Sequence, residues 1–145
     1  MNLMRTAVKT KLLPAMLFAL LVSSFTFAQA KPEQLAQASA ESWLALTDSG
    51  KYAQSWDEAA QFFKAAITKD KWQDALHQVR DPLGKLVSRK LASATYTKSL
   101  PGAPDGEYVV IKYETSFENK QSATETVTPM LDKDGKWRVS GYFIK

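Results

Sequence analysis

The chain has 145 residues, 45% of them hydrophobic, with 19 Lys and Arg against 15 Asp and Glu and no cysteine. Without thiols there can be no disulfide staples, thiolate catalysis or cysteine metal sites, so burial alone must hold the fold. The net charge of +4 does not mark a nucleic-acid or anionic-membrane binder, because it comes mostly from an acid-free leader, and residues 31–145 are nearly neutral.

That leader carries Arg5, Lys9 and Lys11, then an apolar run from Leu12 to Phe27, then Ala28-Gln29-Ala30. The run is short of the ~20 residues that span a bilayer as a helix. The small-x-small triplet that follows it is the pattern signal peptidase reads. The expectation is a signal peptide over 1–30, cleaved near Ala30, and one domain over 31–145 that is periplasmic or secreted. The membrane is then met only through the transient leader.

Helical patterning comes first in the remaining chain. Pro32 suits a first turn, and Ala36, Ala40, Trp43 and Thr47 recur at helical spacing before Asp48-Ser49-Gly50 supplies a stop. Tyr52, Trp56, Ala59, Phe63 and Ile67 form one stripe of a 3.6-residue period, which predicts a second helix, with Ser55 and Glu58 matching a capping box. A third helix is expected over Lys71–Arg80, with Asp70 as N-cap and Trp72, Leu76 and Val79 on one face. Pro82 and Gly84 break it.

Strand patterning follows. A strand is expected from Leu86, and then "PGAPDG" is dense in turn residues. In "EYVVIKYETSF", Val109, Ile111, Tyr113, Thr115 and Phe117 share one face, and "ENKQS" reads as a polar loop. Pro129, within "ATETVTPMLD", calls for an edge position or a bulge because it cannot donate to a ladder. In "DKDGKWRVSGYFIK", Gly135 comes too early and Phe143 stands where a calcium loop needs Glu, so Asp134-Gly135 is a hairpin turn. Trp137, Val139, Gly141 and Phe143 then alternate on one face. These elements predict an α+β fold, about three N-terminal helices on one face of a curved four-stranded antiparallel meander, a cystatin-like or nuclear-transport-factor-like roll.

"SWDEAAQFFK" at Ser55–Lys64, "RDPLGKLVSRKL" at Arg80–Leu91, "LPGAPDGEYVVIKYETSF" at Leu100–Phe117, "ATETVT" at Ala123–Thr128 and "DGKWRVSGYFIK" at Asp134–Lys145 together cover nearly all of the expected domain. In their order they resemble an uncharacterised family of exported bacterial proteins, domain of unknown function 4019. The resemblance implies export and carries no activity.

His77, the only histidine, is the natural general base, with Asp74 or Asp81 as its carboxylate; a rim histidine is the plainer reading. No serine sits in a nucleophile elbow, and one His without Cys makes a poor zinc site. Arg80 and Arg89 flank the "DPLG" turn. They could hold a carboxylate or phosphate bidentately, or pair with Glu125 or Glu114 and fix the junction between helix and sheet. Trp43, Trp56, Trp72, Tyr113, Trp137 and Tyr142 are the aromatics that could line a pocket or fill the core. The candidate ligand or junction residues are therefore Arg80, Arg89, Tyr113, Glu125, Trp137 and Tyr142. No catalytic set, metal or cofactor is expected. The expected function is a non-enzymatic exported domain that binds a small molecule or an envelope protein, not nucleic acid, through the concave sheet face or a strand edge. A small hydrolase or isomerase built on His77 is the alternative.

Overall fold

The computed structural model describes residues 28–145, so the leader up to Phe27 lies outside the described residues. Helix α1 spans Pro32–Asp48, α2 Tyr52–Asp57, α3 Gln61–Ala66 and α4 Lys69–Arg80, followed by a 3-10 turn over Asp81–Leu83. Strands β1 (Leu86–Thr97), β2 (Tyr108–Phe117), β3 (Lys120–Leu131) and β4 (Trp137–Ile144) form an open antiparallel meander in chain order. The class is α+β, as expected, and its element order is compatible with the roll. Helix α1 lies across all four strands.

Helix α1 starts at Pro32 and ends in a Schellman arrangement. Gly50 takes φ +70°, and the Lys51 and Gly50 N–H groups reach the Leu46 and Thr47 carbonyls. Its Ala36, Ala40, Trp43, Leu44 and Thr47 are buried.

The single stripe from Tyr52 to Ile67 is not one helix. The Ala60 N–H donates to the Val139 carbonyl of β4 at 2.8 Å, and the backbone opens between α2 and α3. That bond to the sheet replaces a helical one, which local periodicity cannot foresee. Ser55 is therefore no cap. It lies buried inside α2, where its hydroxyl donates to the Tyr52 carbonyl and accepts from Trp72 Nε1. The N-cap of α4 is Thr68 rather than Asp70, its Oγ1 accepting from the Lys71 N–H. Trp72 and Leu76 are buried as expected, but Val79 is 47% exposed.

In β2 the expected alternation is present, with Val109, Ile111, Tyr113, Thr115 and Phe117 all buried. "ENKQS" is mostly strand. Only Glu118 and Asn119 turn, and their N–H groups bond to Lys85 and Leu83 beside the 3-10 turn. The sheet register does shift at Pro129, with Thr128 opposite Gly141 and Pro129 opposite Val139. The extra residue is Ser140 on β4, whose hydroxyl donates to the Thr128 carbonyl at 2.7 Å. An extra residue reverses every side chain beyond it. Hence Trp137 and Val139 face the helices, but beyond the bulge Tyr142 does so and Phe143 is turned out, 51% exposed. Gly141 and Phe143 do not continue the Trp137 face.

The core joins both halves. Trp43, Leu44, Tyr52, Phe63, Trp72 and Leu76 from the helices meet Val109, Ile111, Tyr113, Val127 and Val139 from the sheet. Trp43 packs on Trp72 at 6.0 Å and edge-on to Tyr142 at 5.2 Å, and Phe63 meets Trp72 edge-on at 4.8 Å. Each such ring stabilises by roughly 2–3 kcal/mol on burial. Their polar handles are used: Trp43 Nε1 donates to the Ser55 carbonyl and Trp56 Nε1 to that of Ile67.

Candidate functional site

Four charged side chains converge under the C-terminal ends of α1 and α4. Asp48 is the last residue of α1 and Arg80 the last of α4, Arg89 points inward from β1, and Glu125 does so from β3. The register explains the choice of partner. Arg89 lies opposite Thr115 on the buried face, whereas Glu114 lies opposite Lys90 and Thr124 on the outer face. Only Glu125 is within reach.

Arg89 makes two bidentate pairs. Its Nε and Nη2 donate to Glu125 Oε1 and Oε2 at 2.7 and 3.2 Å, and its Nη1 and Nη2 donate to Asp48 Oδ2 and Oδ1 at 2.7 and 3.0 Å. Glu125 is 0% exposed and also accepts from Thr115 Oγ1 at 2.7 Å and from the Tyr142 hydroxyl. Four donors match the capacity of a buried carboxylate. Arg80, 4% exposed, donates from Nη2 to Asp48 Oδ1 at 3.0 Å and stacks over Phe117 at 4.4 Å. Its Nε and Nη1 are buried without a partner among the described residues, as is the Tyr113 hydroxyl.

Two cations and two anions make the cluster neutral, which is the condition under which charges survive burial. Burial by itself would lower the Arg89 pKa, but the hydrogen bonds and charges of Asp48 and Glu125 outweigh it and hold the group above its ordinary value. Burial first, then the Glu125 charge and hydrogen bond, push the Tyr142 phenol far up. Tyr113 is raised to about 12 by burial and then by the Glu41 charge. Arg89, Tyr113 and Tyr142 therefore keep their protons across the neutral range.

Of the six candidate residues, Arg80, Arg89, Glu125 and Tyr142 are joined by this network, and Tyr113 lies opposite Glu125 in the sheet. Trp137 stands apart at the start of β4, where its carbonyl accepts from Ser39 Oγ at 2.8 Å. Asp48 was the residue that sequence reasoning missed, having been read as a helix stop. A carboxylate is unfavourable at a helix C-terminus, and that misfit is the signal of a waiting cation.

His77 has found a carboxylate. Its Nδ1 lies 2.7 Å from Asp81 Oδ2, while Asp81 Oδ1 accepts from the Tyr52 hydroxyl at 2.7 Å and the Tyr52 ring stands edge-on to the imidazole. The hydrogen bonds from His77 and then Tyr52 lower the Asp81 pKa; burial and the Asp81 bond raise Tyr52 to about 12. The His77 side chain is 59% exposed. Among the described residues no group of three or more His, Asp or Glu could hold a metal ion, and no helix is long and apolar enough to cross a membrane.

Three grooves border β4, and the one of about 390 Å³ lies between α1, Asp57, Glu58 and Lys136–Arg138. One of about 760 Å³ runs between α3, residues 104–106 and the β3–β4 turn, and Arg138 on its wall is bound by Asp132 and Asp134. Another, of about 210 Å³, is almost wholly apolar and lies between α4 and the end of β4.

Fold and cluster together define an α+β domain with a buried ion-pair network in which Arg89 and Glu125 are fully engaged, while two N–H groups of Arg80 and the Tyr113 hydroxyl remain without a partner among the described residues. Residues 39–142 match the family described as protein of unknown function (DUF4019), and the chain belongs to that family. No curated protein matches it.

Proposed function

We propose that this is an exported, non-enzymatic binding domain that engages a protein partner through a strand edge. Export rests on the basic leader, the apolar run and the Ala28-Gln29-Ala30 triplet. The observation that carries the binding mode is the use already made of the concave face. Helix α1 covers it, Arg89 spends its donors on Asp48 and Glu125, and Arg80, although its Nε and Nη1 have no partner among the described residues, is only 4% exposed, so neither cation is presented openly to an anionic ligand. The outer edges of β1 and β4 are the surfaces where the sheet has no neighbour.

The two edges are not equivalent. Extra residues at Val87 and Ala92 shift the register of β1 twice, a device that blunts an edge. The end of β4 has no such interruption. A second reading, a hydrolase or isomerase with His77 as base, draws on the Asp81 carboxylate at 2.7 Å, but it places the imidazole on an open surface rather than in a cleft.

Photo-crosslinking in the exporting cell separates these readings. A photoreactive phenylalanine replaces Val87, Leu91 or Phe143 in turn, all three exposed. Discrete polypeptide adducts from an edge position are expected. A chain that yields none, yet retains a small molecule on purification, would reject the protein-partner reading. The enzyme reading requires that His77→Ala abolish a cellular phenotype that the edge variants leave alone.

A further inference from the structure

Resting on the strand-edge reading, we infer that the docking site is the last stretch of β4, and that it takes an extended polypeptide segment with apolar residues at alternate positions and acidic flanks. The backbone of β4 supplies the first argument. Lys145 exchanges both hydrogen bonds with Thr124, so by antiparallel alternation Phe143 and Gly141 also turn their N–H and C=O towards β3. Tyr142 and Ile144 turn theirs away from the sheet. Before the Ser140 bulge the outward residues are Trp137 and Val139, and their carbonyls are taken by Ser39 Oγ and the Ala60 N–H, both at 2.8 Å. The helices therefore cap the first half of this edge. The bulge exchanges which residues face outward, and no hydrogen bond among the described residues reaches the outward backbone groups of Tyr142 and Ile144.

What borders those open groups is apolar. The groove is lined by Trp72, Ala75, Leu76 and Val79 from α4 and by Tyr142–Ile144. An unpaired edge recognises a strand by main-chain hydrogen bonds, and such a groove recognises every second side chain. A helix could fill the groove but would leave the edge unpaired.

Charge selects among strands. Lys71, Ala75 and Val79 follow one another at i, i+4 and i+8 along the wall of α4, which puts Lys71 at one end of the groove. Lys145, with Nζ 5.7 Å from the Phe143 ring, stands at the end of β4, and no acid lines the groove. Acidic flanks on the incoming segment complement both lysines. A second copy of this chain would bring the same two lysines to the same rim.

The test uses the mature protein and a fluorescein-labelled probe of alternating valine and threonine with aspartate at each end. Binding is read by anisotropy and localised by amide hydrogen exchange. Saturable binding is expected, with new protection at Tyr142 and Ile144, and with at least about tenfold weaker binding of the lysine-ended probe. A probe N-methylated at alternate residues should not bind. Val79→Glu, at an exposed position that leaves the fold intact by circular dichroism, should abolish binding, and Val87→Glu on β1 should not change it. Protection appearing at Val87–Ala92 instead would overturn this site while leaving the strand-edge reading standing. Absence of binding, or binding indifferent to Val79→Glu, overturns the proposal. Concentration-dependent dimerisation lost in Val79→Glu does so too, in favour of a second copy. A small molecule in place of any polypeptide partner would remove the underlying reading itself.

Discussion

Replacing Arg89 with Met should strip Glu125 and Asp48 of their shared cation. Removing one partner of a buried ion pair costs about 3–5 kcal/mol, because the other charge is left stranded. Glu125 is wholly buried and would keep only Thr115 and Tyr142 as donors. Asp48 is partly solvated and keeps Arg80, so its share is discounted. The expected loss is therefore in the lower part of the range, about 3–4 kcal/mol. Against a total stability of about 5–15 kcal/mol this is a large fraction, and at about 4 °C per kcal/mol it lowers Tm by about 12–16 °C. Urea unfolding at pH 7 followed by tryptophan fluorescence measures it. The double variant Arg89→Met/Glu125→Leu removes the stranded carboxylate and should recover about half of the loss. If Arg89→Met costs less than about 1 kcal/mol, the level of a surface pair, the cluster is not the buried junction described above.

Three further outcomes follow from other parts of the fold. Gly84 sits at φ +74° and ψ −160°, a region essentially restricted to glycine, and an added Cβ would lie 2.8 Å from Glu118 Oε2; Gly84→Ala should lose about 1–3 kcal/mol in the same unfolding assay, and a neutral result would contradict the tight approach of the 3-10 turn to the β2–β3 hairpin. Ser55→Ala leaves the Trp72 Nε1–H without its acceptor in the core and should cost about 1–3 kcal/mol, while Ser42→Ala on the exposed face of α1 should be silent. The Arg138 hydrogen bond, helped by the Lys136 N–H, holds the Asp134 carboxyl at about 2, below its unfolded value, so this contribution to stability is present above about pH 4 and fades as pH falls towards 2. In Arg138→Gln, carbon-detected NMR should find the Asp134 titration moved up towards the ordinary carboxylate range, and an unmoved midpoint would rule out the guanidinium as its cause.

The elements that local chemistry dictates could be read from the sequence. The two-residue period of β2, Gly50 as the left-handed cap of α1 and the register shift at Pro129 each follow from side-chain size or backbone freedom within a few residues. What could not be read depends on partners far along the chain. The opening between α2 and α3 is made by a carbonyl 79 positions away, that of Val139. The reversal of Tyr142 and Phe143 depends on Ser140 finding the Thr128 carbonyl across the strand. The candidate cluster was half visible. Arg89 with Glu125 was one of two pairings the sequence allowed, and the register selects it; Asp48 looked like punctuation because its partners come from α4 and β1. Which part of a strand edge stays open could not be read, since the open half of β4 follows from the bulge and from what Ser39 and Ala60 already cover.

We propose that the mature domain presents a strand edge to a polypeptide and holds no small molecule between its helices and sheet. Native mass spectrometry of the full-length gene product, expressed in and purified from its own cell, decides between these outcomes. The expected species is a chain lacking the leader up to Ala30, associated with a polypeptide and carrying no small molecule. A chain that retains the leader, or one that holds a stoichiometric small molecule and no polypeptide, would contradict it.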